Sequence, residues 1–163
     1  MFNPFEKIIT FVLEKEGKFV HDKDDPGGAT NYGITLLTLR DAGVDVDGDG
    51  DVDVDDVRKL TPQAAMEIYK DKYWDGLDAS NIDWPLAVVA FDTAVNCGVG
   101  RTKRWLAQTN DKGGDYMYLL NLRTIHYLNI INKNPVLRKY KKGWLNRVND
   151  LKKYVEILKQ ENP

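Results

Sequence analysis

Seven of the twelve residues from Asp45 to Asp56 are aspartate. Carboxylates at this density repel one another and are not buried in an apolar core. The run therefore has to form an exposed loop, ordered by a cation or left solvated. The rest of the chain must supply its core around that loop.

The formal charge of −2 over 163 residues conceals how the charge is spread. Residues 1–98 carry 9 Lys/Arg against 20 Asp/Glu, and residues 99–163 carry 14 against 5. The change falls near Gly98–Gly100 and predicts two parts, 1–98 and 99–163. A chain of this length buries roughly 70% of its unfolded surface and needs no disulfide to fold. Cys97 is the only cysteine. This excludes an intramolecular disulfide and argues against a cysteine-built zinc site. No apolar run approaches the roughly 20 residues of a membrane span, so an integral membrane protein is not expected. The N-terminal segment carries Glu6 and Lys7 and lacks a small-residue cleavage site, unlike a signal peptide.

Within the acidic loop, Asp45, Asp47, Asp49, Gly50, Asp51, Val52, Asp53 and Asp56 take positions 1, 3, 5, 6, 7, 8, 9 and 12. This spacing resembles the calcium loops of EF-hands and dockerins. Glycine permits the sharp turn there, and six to eight oxygens converge on a hard cation. The expected ligands are Asp45, Asp47, Asp49, Asp51, Asp53 and Asp56. One departure is Asp56, which stands where a bidentate glutamate is usual and has a shorter reach. Because these positions are spent on chelation, Ca2+ is expected to be structural and not catalytic.

The remaining pattern is mainly α, with a small irregular or β region near residues 18–35. Asn3, Pro4 and Glu6 give a first-helix start, and Gly17 gives its stop. Asp25-Pro26-Gly27-Gly28 is turn chemistry. Helices are expected at about 36–42, 61–73, 85–97, 102–108, 116–132 and 142–159.

Glu16 follows Ile9, Val12 and Leu13 by seven, four and three residues, which places it on the apolar face of the first helix. It also lies at the negative end of the helix dipole. Both surroundings favour a protonated carboxyl, the form that general-acid cleavage of a glycosidic bond requires. Periodicity alone favours an ordinary acid at a frayed helix end.

The twenty residues from Glu16 to Thr35, EGKFVHDKDDPGGATNYGIT, closely resemble the signature of glycoside hydrolase family 108. These are lysozyme-like N-acetylmuramidases of phage endolysins and bacterial proteins. Segments 69–74, 91–100 and 142–148 fit as well, the last resembling a predicted peptidoglycan-binding domain. The resemblance implies a lysozyme-like fold, a catalytic domain at 1–98 with the calcium loop inserted at 45–56, and a helical glycan-binding domain at 99–163. It places the catalytic glutamate on Glu16. Asp25, nine residues on, and Thr30 are the expected assistants, although either also suits a turn, and Asp22 rivals Asp25.

Sugar contacts are expected from Tyr32, Tyr73, Trp74, Asp92, Asn96 and Trp144, since such clefts use aromatic stacking and amide hydrogen bonds. Core packing is the competing reading for Tyr73 and Trp74, and helix capping for Asp92 and Asn96. The basic C-terminal part suits an anionic wall polymer. It lacks the motifs of nucleic-acid binders, so no nucleic-acid partner is expected. The implied activity is hydrolysis of bacterial peptidoglycan by a monomer. If phage-encoded, it would reside in the host cytoplasm before reaching the wall. The competing readings are a non-catalytic, calcium-stabilised envelope-binding or secretion-accessory protein, and a peptidoglycan amidase, which the absence of a zinc-ligand set disfavours.

Overall fold

The computed structural model describes residues 2–21 and 28–162. Eight α-helices and one small sheet account for most of the described chain. The chain divides into two compact units, Phe5–Lys72 and Met1–Pro4 with Tyr73–Pro163. These units part between residues 4 and 5 and between 72 and 73, whereas the charge changes near Gly98. Helix α5 belongs with the basic C-terminal helices.

In the first unit, helix α1 (Pro4–Glu16) starts at the proline the sequence marks and ends before Gly17, whose φ is 79°. Ile8, Ile9, Phe11 and Val12 are its buried residues. Three short strands, β1 (Val20–His21), β2 (Ala29–Asn31) and β3 (Ile34–Thr35), form an antiparallel sheet in that order. Val20 pairs with Thr30, and Asn31 pairs with Ile34. Only Tyr32 and Gly33 separate β2 from β3, with φ of 50° and 74°. Positive φ at both residues is the signature of a type I′ hairpin turn, whose twist matches that of the strands.

Helix α2 (Leu36–Ala42) is capped by the Thr35 hydroxyl and closed by left-handed Gly43. The acidic loop leads into helix α3 (Val54–Lys59), a helix the sequence reading did not set apart. Its start is a reciprocal capping box: the Asp53 side chain accepts from backbone in the first turn, and Asp56 accepts from the Asp53 N–H. Helix α4 (Pro62–Tyr69) is capped by Thr61. The sequence predicts this helix to about residue 73, but the chain widens into a π-helical segment over Lys70–Asp75.

The second unit is helical. Helix α5 (Trp84–Cys97) is buried on every side from Leu86 to Ala94. Around it come α6 (Val99–Asp111), α7 (Tyr116–Lys133) and α8 (Lys141–Glu161), with a 3-10 segment (Pro135–Tyr140) before α8. Leu119, Leu120, Tyr127, Ile131, Val148, Leu151, Val155 and Leu158 complete its core. Among the described residues, no helix is long and apolar enough to cross a membrane.

Candidate active site

Glu16 is the last residue of α1 and is half-buried, less enclosed than its position on the apolar stripe predicts. What fixes its surroundings is the hairpin turn. A Cβ built on Gly33 would lie 2.8 Å from Glu16 Oε2, 2.9 Å from Glu16 Cβ and 2.7 Å from the Tyr69 hydroxyl oxygen. Only a glycine backbone approaches that closely, and the positive φ at this position also favours glycine. The buried Tyr69 hydroxyl donates to the carbonyl oxygen of Tyr32 at 2.8 Å, which ties the turn to α4. Glu16, the Tyr32–Gly33 turn and Tyr69 thus form one packed group. Tyr69 falls within the family-like segment 69–74, whose spacing assigns it no role.

The neighbouring strand sorts its residues by alternation. Ala29 and Asn31 are buried, while Thr30, on the opposite face, is half-buried. Asn31 is structural: its side-chain amide donates to the carbonyl of Val57 at 3.0 Å and lies 3.5 Å from those of Arg58 and Leu60. It therefore satisfies carbonyls at the end of α3, which have no N–H donor further along the helix. Asp22 and Asp25 lie outside the described residues.

The profile of the family described as Glycosyl hydrolase 108 matches residues 9–98, which include Glu16, the hairpin and Tyr69. The chain belongs to this glycosyl hydrolase 108 family. Membership makes it a glycoside hydrolase. It is similar in fold to the solved structure of Brucella abortus SagA, with a TM-score of 0.72 and 24% sequence identity over 94% of each chain. The fold is the mainly α, lysozyme-like one expected. None of the curated proteins matches it.

Two of the residues expected to contact sugar in this glycosyl hydrolase 108 chain are buried in the core. Trp74 is a core residue, 4% exposed, with its indole N–H donating to the Ser80 hydroxyl at 2.9 Å and its ring edge-on to Phe91. It offers no face to a sugar. Asp92 is fully buried and held by two guanidinium groups. Arg123 Nη1 lies 2.7 Å from its Oδ2, and Arg147 Nη2 lies 2.7 Å from its Oδ1. Burial pushes the Asp92 carboxyl up, but the two arginines outweigh it and hold the group below the usual carboxylate range. Asp92 therefore joins α5, α7 and α8.

Asn96, one turn further along α5, is exposed, and its amide donates to the Asp92 carbonyl at 2.8 Å. Its side-chain oxygen is the part left to meet a ligand. Tyr73 is half-buried within the π-helical segment, and Tyr32 is half-buried in the turn. Trp144 is half-buried and stacks between Tyr127 and Tyr140, with centroids 4.9 and 5.7 Å away.

The acidic loop offers oxygen donors alone, which suits a hard divalent cation. Asp45, Asp47 and Asp49 bring ligand atoms within 4.8 Å of one another, and so do Asp51, Asp53 and Asp56. Asp56, 1% exposed, already accepts from the backbone N–H groups of Val46, Asp47 and Asp53. Those bonds hold its carboxyl below the usual range. A carboxylate has about four acceptor sites, so Asp56 retains little capacity beyond single-oxygen ligation. Lys59 Nζ sits 2.6 Å from Asp47 Oδ2 and keeps that carboxyl low as well. Asp51, in contrast, is pushed up, foremost by the negative charge of Asp49. The loop thus combines clamped carboxylates with a residual repulsion that a cation would relieve.

Proposed function

We propose that this glycosyl hydrolase 108 member is a peptidoglycan hydrolase of the N-acetylmuramidase type. It would cleave the β-1,4 bond between N-acetylmuramic acid and N-acetylglucosamine and so lyse bacterial walls. The supporting observation is the placement of Glu16, at a helix end against the Gly33 backbone, within the segment the family profile covers. Glu16 donates its proton to the leaving glycosidic oxygen. Asp25 and Thr30 would orient water or stabilise the oxocarbenium-like transition state on the other side of the bond. Tyr32, Tyr73, Asn96 and Trp144 are the residues retained for glycan contact, and residues 99–163 are proposed to help hold the polymer.

Digestion of purified peptidoglycan followed by mass spectrometry tests this reading. The expected products are glycan fragments ending in reducing N-acetylmuramic acid with their stem peptides still attached. Free stem peptides would mark an amidase instead, and an unaltered wall would mark a non-catalytic envelope protein.

The acidic loop is proposed to bind Ca2+ through Asp45, Asp47, Asp49, Asp51, Asp53 and Asp56. The ion would neutralise clustered charge and take no part in the reaction. A ligand bound only by the native state stabilises it by mass action. Calcium is therefore expected to raise the melting temperature and EDTA to lower it. Superimposable melting curves would remove the metal from this account.

A further inference from the structure

Residues 116–149 contain no Asp or Glu over 34 positions and carry seven Lys/Arg. Arg123 and Arg147 are committed to Asp92. The other five, Lys133, Arg138, Lys139, Lys141 and Lys142, are exposed, and among the described residues none is paired with a carboxylate. Their charge is directed at solvent.

The same stretch concentrates exposed apolar surface. Four of the seven large hydrophobic residues that are exposed among those described lie in it: Ile125, Leu128, Val136 and Tyr140. Val136, 72% exposed, is the most open of the seven. It belongs to the 3-10 segment Pro135–Tyr140, in which no residue is buried. Tyr140 carries the Lys139 ammonium 5.1 Å from its ring centroid and is backed by Trp144. Ile125 and Leu128 are three residues apart, so they share the outer face of α7.

Unpaired ammonium groups around exposed aliphatic and aromatic tips have a specific chemical complement. A hydrophilic glycan gains from aromatic faces and hydrogen bonds, but it gives valine, isoleucine and leucine side chains no apolar partner. An anionic lipid surface answers both features. Phosphates meet the lysines, the acyl boundary accepts the aliphatic tips, and Tyr and Trp settle at the headgroup level. Long lysine side chains keep their charge at the phosphates while their stems lie along apolar surface.

We propose that the 3-10 segment Pro135–Tyr140, with its flanking lysines, is a docking surface for an anionic phospholipid bilayer. Val136 is its inserted tip, and Lys139, Lys141 and Lys142 are its charged collar. The contact is peripheral and reversible.

Co-sedimentation of the full chain with vesicles tests this, comparing phosphatidylcholine alone with phosphatidylcholine containing phosphatidylglycerol. Binding is expected to the anionic vesicles at low salt, and to fall as salt is raised. Each lysine near such a surface contributes about fivefold, so Lys139→Gln/Lys141→Gln/Lys142→Gln should weaken partitioning about 100-fold. Val136→Asp should weaken it about tenfold or more. All four positions are exposed, and circular dichroism checks that the variants fold. Equal binding to both vesicle types, or none to either, would overturn the proposal. So would anionic binding that survives the lysine variant or is indifferent to Val136→Asp. Retention on purified walls that depends on these lysines, without vesicle binding, would assign the surface to a wall polymer instead.

Discussion

Replacing Glu16 with glutamine is expected to slow the clearing of purified peptidoglycan by about 10²–10⁴-fold, the span that a positioned general acid contributes. Glutamine keeps the shape of the side chain and removes its transferable proton. Glu16 is half-buried at the end of α1, against a turn that leaves no room for a side chain on Gly33. A similar-sized amide fits that space, so the melting temperature should stay near that of the parent. Loss of turbidity clearing with an unchanged melting curve separates loss of chemistry from loss of fold. Clearing at the parental rate by Glu16→Gln would remove Glu16 as the acid.

The second large effect lies in the other unit and concerns stability. Asp92→Asn leaves Arg123, wholly buried, and Arg147, nearly so, facing a neutral amide. Arg123 already has a buried Nη2 without a hydrogen-bond partner, so it has little to fall back on. Breaking a buried pair on one side costs about 3–5 kcal/mol, because the remaining charge stays desolvated. Denaturant titration of the full chain should show a loss of that order, and a loss below about 1 kcal/mol would contradict the buried-hub reading.

The pH dependence follows with a definite sign. The Asp92 carboxyl is held below its unfolded value of about 3.9, so its contribution is present above that pH. It is lost as pH falls through the depressed folded value. Asp92→Asn should flatten that part of the acid-unfolding profile.

The contrast between Asp92 and the helix ends shows where sequence reading succeeds. Helix ends were legible because their signals are local: Pro4 starts α1 and Gly17 follows its end as expected, and α2 fills the expected 36–42. The acidic loop was legible for the same reason. The ion pairs of Asp92 were not legible, because its partners lie 31 and 55 residues further along and spacing within α5 carries no trace of them. For Trp74 the choice between sugar contact and core packing was open in the sequence, since its burial depends on Phe91 and Ser80. Tyr69 went unassigned because its hydroxyl meets a backbone carbonyl 37 residues earlier, a contact no side-chain pattern announces. The π-helical segment had no composition signal at all. Helix α3 was hidden because Asp53 and Asp56 read as metal ligands, and the same two residues also make a capping box.

Asn31 has a consequence for how the acidic insertion is joined to the hairpin. The end of α3 is bound to β2 by a neutral amide reaching backbone carbonyls, not by an ion pair. Such bonds are indifferent to ionic strength, whereas the carboxylates of the loop and its Lys59 contact are screened by it. This attachment of a highly charged appendage to the turn beside Glu16 therefore does not depend on charge pairing. Salt can alter the repulsion within the loop without loosening this attachment to the hairpin.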